Sequence, residues 1–271
     1  MTRTRWIVAC AAVVLVGYGA WRLFVHAGNL APALITPSMD AHQAVSTDLR
    51  GRFDRLLHER QGGDRSGRPK LIALTFDDGP YPVFTPLLLQ ELRELHVPAT
   101  FFLIGRDAQQ WPELTRRIAA DGNEIADHTL THPNLDQETD EQVRAEILGG
   151  RDALWKLVHD PAIRTMMRPP HGRYTEATVR VAQRLGYAVI LWNDDSGDWR
   201  TLTASFISAH VMAHATAPEI VLLHSGKLPT IEAMPAVVSA FRSAGYRFVT
   251  VGQLLAAVPA NQINHPARRR V

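Results

Sequence analysis

Residues 71–80, LIALTFDDGP, run from a mostly apolar stretch into two adjacent carboxylates, Asp77 and Asp78, and then a Gly-Pro turn. A short apolar run bounded by a turn signal reads as a buried β-strand that surfaces at its C-terminal end. Two like charges side by side repel, unless a cation or a proton is shared between them. The rest of the chain decides which.

Similar runs recur on either side of helix-like segments. They are ATFFLI (99–104), NEIA (123–126), IRTMMR (163–168), YAVILW (187–192), EIVLLH (219–224) and YRFVT (246–250). Between them lie amphipathic stretches such as TPLLLQELRELH (85–96), PELTRRIAADG (112–122) and EATVRVAQRLG (176–186). Two of these close on Gly, as helices commonly do. Seven βα units between Lys70 and Val258 specify an α/β fold with a parallel sheet, open or closed into a barrel. Polar and ionisable residues collect where the runs end: Asp77-Asp78, His128 to His132, RPPHG (168–172), NDDSGDW (193–199) and HSG (224–226). Ligand sites of α/β sheets lie at the C-terminal strand ends, and use of every strand end on one face favours a barrel-like arrangement, a distorted (β/α)7 barrel.

HTLTH places His128 and His132 four apart, a spacing that on a helical turn points both imidazoles to one side. Two His and one carboxylate with open positions is the donor set of catalytic zinc or a similar divalent ion. Asp77-Asp78 supplies the carboxylate, and the second aspartate is then free to act as a base. AHVMAH repeats the spacing at His210 and His214, but within a helix-like segment, with no carboxylate nearby and no adjoining strand end. That second pair reads as a solvated helix face.

TFDDGP, HTLTH, RPPHG, DSGDW and LLHSG, in this order, resemble the five motifs of polysaccharide deacetylases of the nodulation-factor type, carbohydrate esterase family four. The resemblance spans Lys70 to Val258 and implies a distorted barrel of βα units, in agreement with the strand count. It implies a hydrolase for acetyl groups on glycans, with Asp77 as general base and Asp78, His128 and His132 as metal ligands. It further implies that Arg168 positions Asp77 and that His171 offers a backbone N–H to the oxyanion. Asp198 would orient His224, the general acid, and Trp199 and Leu222 would wall the acetyl pocket. The implied cofactor is one divalent cation, zinc by default, with cobalt or nickel able to use the same ligands. Two positions depart from the pattern: His171 stands where tyrosine is usual, and Asp194 stands where an apolar residue is common. Taken singly, each residue has a plainer reading; Asp195 and Asp198, for example, are suited to capping a helix. Their joint occurrence in family order is what carries the resemblance.

Composition is that of a globular protein, 46% hydrophobic and 21% charged. The formal charge of +2 is a product of the ends: Arg3, Arg5, Arg22 and Arg268 to Arg270 lie in tails without acids, and setting those six aside leaves 23 basic against 27 acidic residues. A mildly acidic body argues against a nucleic-acid partner. Trp6 to Val25 is apolar except for Arg22, long enough for a membrane helix of about 20 residues with an end-placed arginine that snorkels. Arg3 and Arg5 before it orient the body to the outside. The expectation is an uncleaved anchor over residues 1–26. Cleavage at Val25-His26-Ala27 and secretion is the alternative, and Ile7 to Cys10 makes a poor lipoprotein box because little apolar sequence precedes it. Cys10 is the sole cysteine, so the body has no disulfide and no thiolate ligand.

Residues 27–69 read as a linker, with QGGDRSGRP as its signal and a short helix around Asp48 to Arg60; residues 259–271 read as a basic tail. The functional expectation is a membrane-anchored, extracytoplasmic deacetylase of N-acetylated amino-sugar glycans. An O-acetyl esterase for a xylan-type polysaccharide and a non-catalytic glycan-binding protein are the alternatives.

Overall fold

The computed structural model describes residues 70–200 and 203–257. The apolar segment Trp6 to Val25, the expected linker helix and the basic tail lie outside the described residues. Among the described residues, no helix is long and apolar enough to cross a membrane.

Strand β1 (Lys70–Asp77) shows how the layers arise. Side chains alternate between the two faces of a strand. Ile72, Leu74 and Phe76 enter the larger apolar cluster, shared with α1 (Phe84–Glu94) and α7 (Leu228–Ser243). Leu71 and Ala73 point the other way, into a smaller inner cluster, and Thr75 and Asp77 continue that inner row towards the C-terminal end. Burying a large apolar side chain contributes roughly 1.5–3 kcal/mol, so the outward row sets the register of the strand. A one-residue slip would send Asp77 into the outer core.

The same alternation runs through β2 (Thr100–Leu103), where Phe101 and Leu103 face outward and Phe102 inward. The chain continues through α2 (Gly105–Gln110), α3 (Pro112–Ala120), β3 (Glu124–Asp127), α4 (Asp140–Trp155) and β4 (Met166–Met167). Next come α5 (Glu176–Arg184), β5 (Ala188–Val189), β6 (Asp194–Asp195), α6 (Ala204–Ala213), β7 (Glu219–His224), β8 (Tyr246–Phe248) and α8 (Val251–Ala257). Thr139 begins α4 with a capping box closed by Gln142, and Thr175 begins α5 with one closed by Thr178.

All ladders are parallel, in the order β5-β4-β3-β2-β1-β7-β6, with β8 beside the start of β1. The seven expected runs thus become eight strands among the described residues, and several are shorter than their apolar sequence. YAVILW keeps only Ala188–Val189 as strand, and Asp194–Asp195 forms one that was not expected. β5 and β6 lie four residues apart in one run and pair with β4 and β7 respectively, and the sheet curves as a half-barrel. Arg168 lies against the link between β5 and β6: its guanidinium donates to the carbonyls of Ile190 and Leu191.

Candidate active site

The strand register assembles the site at the C-terminal ends. Asp77 pairs with His224 and Thr75 with Leu222 across β1 and β7, and Asp195 pairs with Leu222 across β6 and β7. These side chains therefore share the inner face. Asp78 follows at φ 68, a left-handed conformation that costs a non-glycine residue roughly 1–2 kcal/mol. In a continuing strand, Asp77 and Asp78 would point to opposite faces. Here both carboxylates approach one imidazole, with His128 Nε2 3.8 Å from Asp77 Oδ2 and 3.7 Å from Asp78 Oδ1. Ser225 fixes this turn by donating its hydroxyl to the carbonyls of Asp77 and Asp78.

His132 Nε2 lies 3.3 Å from Asp78 Oδ1. The two histidines converge, but not through a helical turn as the spacing implied. Residues 128–132 form a loop in which Thr129 (φ 68) and His132 (φ 65) are both left-handed. Of five such non-glycine residues among those described, four lie in this site: Asp78, Thr129, His132 and His171. Strain of this kind persists only where neighbours over-determine it. The Thr129 N–H donates to Asp127 Oδ1, and its carbonyl accepts from Gly105 N–H. Leu130 N–H donates to the Glu146 carbonyl, and Thr131 donates from both its N–H and its hydroxyl to the Glu146 carboxylate. Gly149 and Gly150 of α4 let the loop lie against the helix: a Cβ on Gly150 would sit 2.8 Å from the Thr129 carbonyl carbon.

Arg168 is fully buried and reaches Asp77 Oδ1 at 2.6 Å and Thr75 Oγ1 at 2.8 Å. Its guanidinium lies over the Phe102 ring at 4.0 Å. Thr75 in turn donates to the Val221 carbonyl. One oxygen of Asp77 is thereby held, and Oδ2 is left facing His128. Arg168 also turns its own carbonyl to His128 Nδ1 at 2.8 Å. That contact makes Nδ1 the protonated nitrogen and leaves a lone pair on Nε2.

Beside Asp77, at the end of β7, His224 Nδ1 is 2.7 Å from Asp198 Oδ1. Asp198 is buried and also accepts from the His224 N–H at 2.7 Å and from the Thr230 hydroxyl at 2.6 Å. It holds the histidine rather than capping a helix. Burial lowers the basicity of His224, but the Asp198 hydrogen bond and charge, with Asp77 and Asp78 adding to them, outweigh burial and raise its pKa to about 9.

The three expected ligands behave differently. Burial raises the Asp78 carboxyl, opposed in part by His128 and His224, and burial lowers His128. His132 is pushed down to about 4, by burial first and then by His171. Neutral imidazoles beside a carboxylate that burial disfavours as an anion make a set that a dication suits. Each of Asp78, His128 and His132 offers one donor atom within 4.8 Å of the other two. The residues fit a divalent ion.

The remaining expected residues are less uniform. Leu222 is buried on the site face beside Thr75. Trp199 is half-exposed at the rim, its indole N–H donating to Asp195 Oδ1 at 3.2 Å. His171, at φ 56, sets its ring 4.5 Å from that of His132. The supporting residues Thr75, Ser225, Thr230 and Glu146 were not singled out from sequence. Thr75 and Ser225 lie within TFDDGP and HSG, but nothing in those strings signals what their hydroxyls bond.

The parallel half-barrel, with this carboxylate–histidine cluster at its strand ends, has the make-up of a hydrolase. Residues 64–190 match the polysaccharide deacetylase family. A peptidoglycan-N-acetylglucosamine deacetylase of Bacillus cereus is 38% identical over 191 residues, 69% of this chain and 88% of that protein. A chitooligosaccharide deacetylase of a Bradyrhizobium species is 34% identical over 209 residues, 72% of this chain and 94% of that protein. The solved structure of a T48 deacetylase with substrate superposes with a TM-score of 0.65 at 32% identity, covering 70% of this chain and 93% of that one. The chain belongs to the polysaccharide deacetylase family, and it is a hydrolase of the family-four carbohydrate esterase type.

Proposed function

We propose that the protein removes N-acetyl groups from an amino-sugar glycan of the cell envelope or extracellular space, in a reaction that depends on a divalent cation, zinc by default, held by Asp78, His128 and His132. The observation that carries this is the pairing of Asp198 with His224 at the strand end beside Asp77. An imidazole with a pKa raised to about 9 is protonated at neutral pH. An amide requires this, because a sugar amine leaves only once it is protonated. An ester's alkoxide needs that proton far less, so the acid weighs against the O-acetyl esterase reading. It also weighs against a glycan-binding protein, which has no use for a paired acid and base.

When bound, the cation supplies Lewis-acid polarisation of the acetyl carbonyl and lowers the pKa of the attacking water. The chain's residues do the rest. Asp77, its other oxygen held by Arg168, takes the proton from the water as the oxygen attacks the acetyl carbon. The His171 N–H donates to the developing oxyanion, a contribution of roughly 3–4 kcal/mol in comparable sites. The C–N bond breaks as His224 passes its proton to the nitrogen, giving acetate and a free amino sugar. Trp199 and Leu222 enclose the acetyl methyl. The apolar segment Trp6 to Val25 behind Arg3 and Arg5 supports a membrane-anchored enzyme with its catalytic domain outside the cytoplasm.

Acetate release by the zinc-loaded full chain tests the reading, on chitin oligosaccharides, acetylglucosamine polymer, peptidoglycan and acetylxylan, with Asp77→Ala alongside. Release from an amino-sugar substrate that vanishes in the variant is expected. Release from acetylxylan alone would move the protein to the esterase, and glycan binding without release, with zinc bound, would make it a binding protein.

A further inference from the structure

The sequence reads the second His pair as a solvated helix face with no carboxylate nearby; His214 is exposed, but a carboxylate stands beside the pair. His210 lies in the last turn of α6 and His214 directly after it. Asp194 of β6 comes up beside them, and the three offer donor atoms that all lie within 4.8 Å of one another. Asp194 is one of the two residues that depart from the family pattern, and the alternation of β6 explains its position. Asp195 pairs with Leu222 and faces the active site, so Asp194, paired with Val221, faces the opposite layer. Val221 packs there with Ile207 and Val211 of α6.

We infer that Asp194, His210 and His214 form a second divalent-cation site, structural in role, that ties the end of α6 to β6 on the outer face of the sheet. Two observations beyond the proximity of the three donors support it. The first is the orientation of His214, whose Nδ1 is 2.8 Å from the His210 carbonyl. Nδ1 is therefore the protonated nitrogen, and Nε2 keeps its lone pair, the arrangement a ligating histidine takes. The second is the burial of the carboxylate. Asp194 is 3% exposed, and it hydrogen-bonds the carboxyl of Glu219, itself fully buried. A buried carboxyl pair needs a shared proton, and it still leaves net negative charge in an apolar layer. A cation on the histidine side of Asp194 neutralises that charge, while Glu219 serves as the supporting carboxyl behind the ligand.

Two imidazoles and one carboxylate select zinc or a similar borderline ion over calcium or magnesium. The site lies on the other face of the sheet from the catalytic one and is joined to it through β6. The residues that follow Asp194 include Asp195, which holds the Trp199 indole, and Asp198, which holds His224. The inference does not depend on the reaction proposed above.

Equilibrium dialysis of the full chain against zinc, with bound metal counted per chain, tests it. Two ions are expected for the natural chain and one each for His214→Ala and His128→Ala. His214 is exposed, so its loss leaves the fold intact. His214→Ala should keep acetate release at its natural rate and lose the rise in Tm that the second equivalent of zinc brings to the natural chain. His210→Ala should reproduce both results. A single ion in the natural chain, or a second ion that persists in both His210→Ala and His214→Ala, would overturn the inference.

Discussion

Two pairs of histidines four residues apart meet opposite fates in this chain. His128 and His132 flank a loop with two left-handed residues, clamped by Glu146 and by Asp127, and face a carboxylate on the inner side of the sheet. His210 and His214 end a regular helix and face a carboxylate on the outer side. Equal spacing therefore says little about convergence. In the first pair, backbone strain held by neighbours creates the geometry; in the second, helical periodicity creates it without strain. The carboxylate in each case comes from another element: strand alternation turns Asp194 outward, and the left-handed turn after β1 brings Asp78 to the inner side.

Breaking the inner pair should have the largest effect. His128→Ala removes a buried ligand, and acetate release should fall to background, with the inner ion missing from a metal count. Asp77→Ala leaves the ligands in place, so the same count should be unchanged while kcat falls about 10³-fold, within the range for a lost general base. Asp198→Asn keeps the shape but removes the charge that holds His224 protonated. It should lower kcat about 10²-fold and move the alkaline limb of the pH profile well below 9.

A sharper comparison comes from the helix under the inner loop. Gly150→Ala drives a methyl group against the Thr129 backbone, and overpacking of this kind costs about 1–3 kcal/mol. Urea unfolding should show that loss. Zinc titration should show a weakened inner site with the outer site unaffected, because α6 and β6 make no use of that helix face.

The smallest expected effect is on stability against pH. His224 has a folded pKa of about 9 against an ordinary 6.5. Its contribution is present in full below pH 6.5 and is lost as pH rises through 9. His132 runs the other way: held at about 4, it leaves the unfolded chain binding the extra proton below 6.5, so stability falls as pH drops towards 4. Thermal unfolding of the metal-free protein should decline on both sides, and His224→Gln should flatten the alkaline side alone.

Much of the catalytic cluster was legible as motifs, because catalysis requires particular side chains at strand ends, where they are sequence neighbours of apolar runs. Asp77, Asp78, His128, His132, Arg168, Asp198 and His224 come together at one set of strand ends. What stayed hidden was support. Glu146 binds the histidine loop from mid-helix, and Thr230 reaches Asp198 from a helix that begins after the last motif. Hydrogen bonds between residues so far apart in sequence leave no local signature.

The apolar runs by themselves determined an α/β protein with a parallel sheet, because a run of buried side chains can be satisfied only between two layers. They also determined where chemistry would collect, since a strand that ends in carboxylates cannot continue into the core. Closure was decided by the tertiary structure. The run 188–195 serves both edges of the sheet, β5 beside β4 and β6 beside β7, and Arg168 donates to its backbone between the two. The pairing of Asp194 with His210 and His214 was decided in the same way. A carboxylate and two imidazoles meet there only because β6 turns one aspartate outward beneath the end of α6, a matter of register that no local stretch of sequence contains.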